Sequence, residues 1–300
     1  MASAKTTVEV GGRTLSLSNL DKVLYPQTGF TKGEVIDYYR QVADVLLPHL
    51  ANRLLTRKRW PDGTGKGSFF EKNTPRGTPD WVRTVFMAEH GDDGVTYVVA
   101  EDLATLVWLA NLAALELHVP QWKVGPRGGP HEPDLVVFDL DPGPPADIID
   151  CFDVAGALRQ LIEADGLTAY PKTSGNKGAQ LYVPIEPATS QRTSAYAKKL
   201  ADQLSEALPE LVVSSMEKKL RTGKVFVDWS QNNAAKTTVA PYSLRGVDEP
   251  TVSTPLSWEE AIAATDAVEL RFLAGDVIRR IHEHGDLLAD MPTQAAPLPG

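Results

Sequence analysis

A short apolar run that ends in two carboxylates constrains this 300-residue chain more than any other stretch. Leu135–Phe138 are consecutive apolar residues, and they continue into an Asp-Leu-Asp sequence and a Pro-Gly turn. Such a run predicts a buried strand that ends at the turn. Because side chains alternate along a strand, we expect Asp139 and Asp141 on one face and Leu140 on the other.

Two carboxylates on one face repel each other unless a cation neutralises them. All-oxygen ligands of this kind suit Mg²⁺ or Mn²⁺. A turn in which Asp141 caps the next element is the alternative, and the spacing alone favours neither. A second apolar strand, Val225–Val227, also ends in a carboxylate, so Asp228 is the natural third member of the set.

Composition excludes several classes of protein. No run approaches the roughly 18 apolar residues of a membrane span, and the N-terminus lacks the apolar segment of a secretory signal. The single cysteine, Cys151, excludes an internal disulfide and fits a reducing cytosol; we expect it to be buried in a helix. A net charge of −9 argues mildly against non-specific nucleic-acid binding, yet cations cluster locally at 53–59 and 218–224.

Two local patterns suit phosphate. Thr31 and Glu34 have capping-box spacing, which places Lys32 in the first turn of a helix. The helix dipole disfavours a cation at this end, and a bound anion such as a phosphate would compensate for that; a solvated lysine is the alternative. Residues 172–178 predict a glycine-rich turn that offers amides and lysines to phosphates, with a bare surface turn as the alternative. This turn is not a Walker A loop, because the glycine spacing differs and a strand follows.

Other stretches bear on nucleic-acid contacts. Phe69 and Phe70 are adjacent in a predicted strand, so we expect one to point inward and the other outward. An exposed aromatic ring beside cations can stack on a base, or it can be a core residue at a sheet edge. Leu103–Leu117 is expected to be one apolar helix. His118 follows this helix directly, so a purely structural role for the histidine is the alternative to a functional one.

Together these features resemble the polymerase domain of bacterial ATP-dependent DNA ligase D, above all its mycobacterial members, within the archaeo-eukaryotic primase superfamily. The resemblance runs from about Leu17 to Leu288. The family's Asp-x-Asp strand is matched by Asp139 and Asp141, and its later apolar-Asp pair by Val227-Asp228. The resemblance implies a mixed α/β (α+β) fold, with a primase-like catalytic core of mixed β-sheets flanked by helices.

The resemblance also implies residue roles. The three carboxylates would hold two divalent ions, Mn²⁺ or Mg²⁺, beside the primer 3′-hydroxyl and the leaving pyrophosphate. The residues implied to contact or position the incoming triphosphate are His118, Ser174, Lys177, Gln180, Arg221, Gln231 and Arg245. Those implied to bind the 5′-phosphate of a DNA end are Asn19, Lys22 and Lys32, and those implied to pack on the template base are Phe69 and Phe70.

The function implied is a template-dependent nucleotidyltransferase that fills short gaps at DNA ends during double-strand break repair by end joining, with a preference for ribonucleotides. Residues 1–290 would form one domain, with a 5′-phosphate-binding module over about 1–70 and a catalytic core over about 70–290. The chain is rich in Pro and Ala from Pro292 onward, and this composition predicts that residues 291–300 are a flexible tail. The implied partners are DNA ends or gaps with a 5′-phosphate, nucleoside triphosphates, Ku and a DNA ligase, in the bacterial cytoplasm at the nucleoid.

One motif departs from the family pattern Ser-Gly-Ser-Lys-Gly-x-His, because Gln180 stands where the histidine belongs and Asn176 replaces a serine. Glutamine can donate a hydrogen bond but carries no charge. We therefore expect a triphosphate pocket with reduced nucleotide affinity or rate. We also expect Gln180→His to raise kcat/KM, because a charge-assisted contact from histidine would contribute about 1.5–3 kcal/mol of binding free energy.

Two other functions stay open on the sequence. One is a DNA-end-binding or synapsis module whose catalysis has decayed, which the glutamine in the motif would explain. The other is a metal-dependent phosphoesterase, which uses similar carboxylates. A phosphoesterase gives no reason for nucleotide-pocket cations and end-phosphate lysines in the same chain.

Overall fold

The structure is a computed structural model that describes residues 5–90 and 93–300. The strands in these ranges are β1 (Lys5–Val10), β2 (Arg13–Ser18), β3 (Val23–Tyr25), β4 (Phe30–Thr31), β5 (Thr56–Arg59), β6 (Phe69–Glu71), β7 (Thr84–His90), β8 (Asp93–Val98), β9 (Ala114–Val119), β10 (Leu135–Pro142), β11 (Tyr170–Thr173), β12 (Ala179–Pro184), β13 (Val212–Val213), β14 (Val225–Asp228) and β15 (Thr238–Val239). The helices are α1 (Lys32–Gln41), α2 (Ala43–Leu50), α3 (Leu103–Asn111), α4 (Ile148–Ala164), α5 (Ser190–Ala207), α6 (Trp258–Ala263) and α7 (Ala274–His284). None of the helices that these residues form is long and apolar enough to cross a membrane.

Two sheets carry the three predicted acids, His118, Gln180 and the two adjacent phenylalanines. The larger sheet has the strand order β11-β12-β10-β14-β13 and is antiparallel except for the pair β13–β14. The smaller sheet, β15-β9-β5-β6, is antiparallel throughout. Helices pack around these mixed and antiparallel sheets, which confirms the predicted α/β fold class.

Strand β10 lies in the middle of the larger sheet, and its two faces differ. Val136, Phe138 and Leu140 are fully buried and pack in one apolar cluster with residues of α4 and α5. Cys151 of α4 is buried in the same cluster, as expected. The two acids of β10 project from the opposite face, away from these helices, because side chains alternate along a strand.

The apolar core has two large parts. The first joins residues within 15–119 to parts of 240–277, and the second lies within 136–298. Along the chain, the buried side chains therefore change from the first part of the core to the second between β9 and β10, and not near residue 70. The division near residue 70 into a 5′-phosphate-binding module and a catalytic core concerns function, and it stays a prediction.

The prediction of a single helix over Leu103–Leu117 is wrong. Helix α3 ends at Asn111, and the chain turns through Ala113, with φ of 57°, into strand β9. Residues 114–119 alternate apolar and polar side chains, which is a strand pattern, and they pair with β5 and β15. His118 therefore lies on a strand, and the partners of that strand decide its surroundings.

The glycine-rich turn predicted over 172–178 is shorter in the structure. Strand β11 covers Tyr170–Thr173, so Lys172 belongs to a strand and the glycine-rich turn is confined to 174–178. Gly178 lies against the backbone carbonyl of Leu140, where a β-carbon would clash. The absence of a side chain at this glycine lets the turn close directly on β10.

Residues 291–300, which composition predicts to be a flexible tail, lie against the protein in the structure. Leu298 is 7% exposed and packs in the second part of the core, and its carbonyl accepts a hydrogen bond from Arg192. Ala296 forms a β-bridge with Ile185. These contacts are not those of a free linker.

Candidate active site

Four side chains lie in a row across the larger sheet, one on each of four neighbouring strands. The register places Gln180 of β12 opposite Asp139 of β10, and Asp139 opposite Asp228 of β14. On the outer side, Lys172 of β11 is opposite Gln180. Directly opposed residues of antiparallel strands project from one face with β-carbons about 5 Å apart. Register alone thus brings together residues that are distant in sequence.

A short 3₁₀ helix at 229–232 holds two of the carboxylates in place. Asp228 caps this helix and accepts a hydrogen bond from the Ser230 backbone amide at 2.9 Å. Gln231 donates through Nε2 to Asp139 Oδ2 at 3.3 Å and to Asp228 Oδ2 at 3.4 Å. Two carboxylate oxygens from different strands therefore converge on a single positively polarised group.

The clustered carboxylates raise one another's pKa. Burial is the largest cause for Asp139, and the charges of Asp141 and Asp228 add to it, so that the pKa of Asp139 rises to about 7 although Gln180 donates a hydrogen bond to it. Burial and Asp228 likewise raise the pKa of Asp141. Crowded negative charge of this kind is relieved by a bound cation.

The donor set fits an open divalent-metal site. Among residues 5–90 and 93–300, no group of three or more His, Cys, Asp or Glu side chains is arranged to hold a metal ion by itself. Mg²⁺ usually takes one or two carboxylates together with waters and substrate phosphates, and not an all-protein cage. The convergent pair Asp139 and Asp228, with Asp141 two residues along β10, offers that kind of all-oxygen site.

A cavity of about 370 Å³ opens beside these acids. Its lining includes Asp139 and Asp141 and all the residues predicted to contact the triphosphate, namely His118, Ser174, Lys177, Gln180, Arg221, Gln231 and Arg245. Both sheets contribute to it. Gly143 lets the loop that carries Arg221 approach β10, because a β-carbon at Gly143 would overlap the Arg221 carbonyl. The structure thus gathers one predicted set of residues around one space.

Cationic groups in this cavity have hydrogen-bonding capacity to spare. The Arg221 Nε is a buried donor that has no hydrogen-bond partner in the described part of the chain. The Arg245 Nε makes no hydrogen bond there either, but it forms an ion pair with Glu116 at 3.3 Å. Arg245 also donates through Nη1 to the Ser174 carbonyl, which fixes the arginine to the glycine-rich turn. A buried donor without a partner is costly, and an anionic ligand such as a triphosphate would satisfy the Arg221 Nε.

Glu116 supports this site, although the sequence patterns did not reveal it. It is 2% exposed, and its carboxylate lies 2.8 Å from His118 Nε2 and 3.3 Å from Arg245 Nε. Burial raises the pKa of Glu116, but the hydrogen bond to His118 and the charge of Arg245 outweigh it and hold the pKa at about 2. The alternation over 114–119 was the available signal, since it places Glu116 and His118 on one face.

A second cationic site lies at the start of α1. Thr31 caps the helix, and its predicted capping box with Glu34 is confirmed. The Lys32 backbone amide donates to the Lys22 carbonyl at 2.8 Å, and the Lys22 amide donates to the Asn19 carbonyl at 3.0 Å. These bonds fold the turn that contains Asn19 onto the helix start, so the three residues predicted to bind a 5′-phosphate lie together.

The Lys32 ammonium is held without a counter-charge. It is 5% exposed and donates to Ser18 Oγ at 3.3 Å, and it makes no ion pair with any residue in 5–90 or 93–300. Burial, followed by the charges of Lys22 and Arg59, lowers the pKa of Lys32 to about 8. Lys22 forms an exposed ion pair with Asp62, at 2.8 Å. Cations gathered in this way attract an anion.

The adjacent aromatic residues of β6 face different sites. The Phe70 ring lies 5.5 Å from the His118 ring and 5.2 Å from the Lys58 ammonium, beside the cavity. Phe69 lies on the other face, with the Arg59 guanidinium 5.4 Å from its ring. Both rings are exposed, whereas alternation predicts one buried ring, because β6 is the edge strand of its sheet.

Similar sequences occur among bacterial end-joining proteins. The family model described as LigD, primase-polymerase domain, matches residues 31–288. The multifunctional non-homologous end joining protein LigD of Mycolicibacterium smegmatis is 47% identical over 281 residues, which are 93% of this chain and 36% of that protein. The corresponding protein of Mycobacterium tuberculosis is 46% identical over 288 residues, which are 94% of this chain and 37% of that protein. The chain thus spans little more than a third of these relatives.

A solved structure is also similar. The polymerase domain from Mycobacterium tuberculosis ligase D, in complex with DNA, matches with a TM-score of 0.87 and 44% identity. The match covers 94% of this chain and 99% of that chain. The resemblance inferred from the motifs is therefore confirmed, and so is the primase-like core.

Proposed function

The chain belongs to the family of LigD primase–polymerase domains, which are metal-dependent, DNA-directed nucleotidyltransferases, and on that premise we propose that it fills short gaps at broken DNA ends. One observation carries the proposal. Asp139 and Asp228, acids on two neighbouring strands, converge beside a cavity that Arg221 and Arg245 line, and the Arg221 Nε is a buried donor without a hydrogen-bond partner in the described residues. Nucleotide transfer needs carboxylates that hold divalent ions next to positively charged side chains that bind a triphosphate.

Each group of residues has a distinct task in this proposal. Asp139, Asp141 and Asp228 would hold two divalent ions, Mn²⁺ or Mg²⁺, which supply Lewis-acid stabilisation of the attacking and leaving oxygens. Gln231 and Gln180 orient the Asp139 carboxylate by donating to its two oxygens. The cavity arginines, with His118, Ser174 and Lys177, would bind and align the triphosphate. Alignment of the reacting groups is a large part of catalysis in phosphoryl transfer.

The DNA end would be bound on the other side of β6. Asn19, Lys22 and Lys32 would bind its 5′-phosphate, and Phe70, next to His118, would pack on the template base together with Phe69. In support, the relative of known structure is described as bound to DNA. Relatives named for non-homologous end joining support a role in that repair. Ku and a DNA ligase would be its partners, in the bacterial cytoplasm at the nucleoid.

The test is extension of a primer across a short gap with a 5′-phosphorylated downstream strand. We expect the unmodified chain to add nucleotides in the presence of Mn²⁺, and to add ribonucleotides faster than deoxyribonucleotides. The second candidate, an end-binding module without catalysis, rests on Gln180 in place of the motif histidine. It predicts binding to the same DNA with no extension under any of these conditions.

Replacing both phosphate-site lysines is expected to weaken binding to a phosphorylated end. The Lys22→Ala/Lys32→Ala variant should bind a gap with a 5′-phosphate about 10- to 100-fold less tightly, because hydrogen bonds between charged groups are lost. Binding to the same gap with a 5′-hydroxyl should change little. Fluorescence anisotropy with both DNAs measures this. The matched control is Lys199→Ala, which removes an exposed charge from α5; equal losses on both DNAs would contradict the assignment.

The phosphate contribution is expected to depend on pH through Lys32. Because the pKa of Lys32 lies at about 8, its ammonium is charged below that pH and is lost as the pH rises through it. A bound phosphate raises this pKa, so the midpoint measured in the complex lies higher. The affinity advantage of the 5′-phosphate should therefore shrink between about pH 7 and pH 10. Lys32→Arg should abolish the shrinkage, since guanidinium stays charged; a flat profile for the unmodified chain would contradict the prediction.

A further inference from the structure

We propose that Lys172 is a positioning residue for nucleotide binding. It holds the Gln180 carboxamide so that the amide nitrogen, and not the oxygen, faces the carboxylates and the triphosphate cavity. This inference rests on the proposed function and concerns the same cavity. It also explains how a glutamine can occupy the position where the family pattern has a histidine.

The geometry is a chain of two hydrogen bonds across three strands. Lys172 Nζ donates to Gln180 Oε1 at 2.6 Å, and Gln180 Nε2 donates to Asp139 Oδ1 at 2.9 Å. Lys172 is 0% exposed and Gln180 is 4% exposed. Strand register sets both contacts, because each pair is directly opposed in the sheet.

Lys172 has little else to do in the fold. Among the described residues, Gln180 Oε1 is its hydrogen-bond acceptor, it makes no ion pair, and its ammonium lies 5.2 Å from the centre of the Tyr182 ring. A buried lysine without a carboxylate partner costs stability. A cation kept at that cost, and bonded to a residue of the cavity lining, is better explained by the site than by the core.

The chemistry of the two ends fixes the amide orientation. An ammonium only donates and a carboxylate only accepts, so the carboxamide oxygen must face Lys172 and the nitrogen must face Asp139. Burial and the Arg245 guanidinium lower the pKa of Lys172, while Asp139 raises it. A neutral amine can also donate to the carbonyl, so the bond survives loss of the charge, but the orientation is fixed only while Lys172 is an ammonium and Asp139 is a carboxylate.

Lys172 matters most when the site is loaded. Once the Asp139 oxygens bind a cation, they hold the amide less firmly, and the lysine is then the group that prevents it from flipping. The Gln180 amide nitrogen carries two N–H groups, and one of them is used by Asp139. Within residues 5–90 and 93–300 the amide nitrogen makes no other hydrogen bond, so its second N–H can donate to a triphosphate oxygen in the cavity that Gln180 lines.

The direct test is the affinity of a non-hydrolysable nucleoside triphosphate with Mn²⁺, measured by calorimetry, for the unmodified chain and for Lys172→Met. We expect Lys172→Met to weaken nucleotide binding by about tenfold or more, with an unchanged or higher melting temperature. In the Gln180→Ala background, Lys172→Met should add almost nothing, because a positioning residue acts through its partner. Lys199→Met is the matched control for the loss of one positive charge.

Three results would overturn the inference. The first is an affinity of Lys172→Met within twofold of the unmodified chain. The second is an additive loss in the Gln180→Ala background, which would make Lys172 an independent contact. The third concerns Gln180→Glu, which keeps an acceptor for Lys172 but cannot donate to Asp139. If Gln180→Glu binds the nucleotide normally, the donor role is wrong, and this arm stands even if Lys172→Met does not fold.

Nucleotide affinity also separates this inference from the proposed function. If the unmodified chain binds the triphosphate and never extends a primer, gap filling fails while the Lys172 test still gives an answer. If extension occurs and Lys172→Met binds normally, gap filling stands and the positioning role fails.

Discussion

Asp139→Asn is expected to reduce nucleotide transfer by about a thousandfold or more, and to raise the stability of the folded protein in the absence of divalent ions. The loss of activity follows from the position of Asp139, whose oxygens converge with those of Asp228 on Gln231. Asparagine keeps the shape and one acceptor oxygen but removes the negative charge that would hold a divalent ion. Metal stabilisation of several kcal/mol corresponds to a rate factor of this size.

The gain in stability follows from the raised pKa of the same carboxyl. Burial, Asp141 and Asp228 raise the pKa of Asp139 to about 7, above its value in the unfolded chain. The folded state therefore binds a proton more tightly, and its stability falls as the pH rises from about 4 towards 7. Above that range the Asp139 carboxylate is fully charged in the folded state and destabilises the fold. Asparagine removes this destabilisation because it carries no charge. The melting temperature of Asp139→Asn should exceed that of the unmodified chain at about pH 8 and approach it near pH 4.

The matched control is Asp153→Asn, which neutralises an exposed acid on α4. It should change neither the rate nor the melting temperature. An Asp139→Asn variant that keeps normal extension would show that this carboxylate holds no essential cation. A variant that is inactive and also less stable at pH 8 would show that the acids are not crowded as the structure has them.

Arg245→Met is expected to raise the KM for the nucleotide by about 100-fold, with a smaller fall in kcat. The guanidinium lies between Glu116 and the Ser174 carbonyl, and its Nε has no hydrogen-bond partner within residues 5–90 and 93–300. A charge-assisted contact to a triphosphate would therefore be lost together with the anchor of the turn. Steady-state kinetics at saturating DNA measure the two constants separately.

Stability changes with Arg245 for a separate reason. The pKa of Glu116 is held at about 2 by His118 and Arg245, so these partners stabilise the fold at all pH values above the unfolded pKa. Removing the arginine leaves a buried carboxylate with one fewer partner, and the melting temperature at pH 7 should fall. Arg245→Lys keeps the charge and should recover stability better than KM. A KM within threefold of the unmodified value for Arg245→Met would remove the residue from the triphosphate site.

The predictable parts of the site were those set by local sequence. The run Leu135–Phe138 with two following acids predicted a buried strand with carboxylates on one face, because both properties depend on adjacent residues only. Thr31 and Glu34 predicted the helix start that carries Lys32 for the same reason. The role of each of these residues in binding remains a proposal.

The parts that escaped prediction depend on pairing between distant strands. Residues 103–117 are apolar enough for a helix, and the alternation from Leu115 onward is too short to decide against it. Pairing of β9 with β5 and β15 selects the strand, so Glu116 stayed hidden beside His118. Gln180 looked like the loss of a charge because Lys172, eight residues earlier, comes opposite it only through the register of β11 and β12. The gain predicted for Gln180→His therefore competes with an arrangement already built around glutamine.

The most direct measurement is extension of a primer on a duplex with a one-nucleotide gap and a 5′-phosphate, with ribonucleotides and Mn²⁺, by the unmodified chain and by Asp139→Asn side by side. Templated addition by the unmodified chain, with essentially none by Asp139→Asn, is the expected result. Equal extension by both, or tight binding of the gapped DNA without any extension by the unmodified chain, would contradict the assignment of this cavity as a nucleotidyltransferase site.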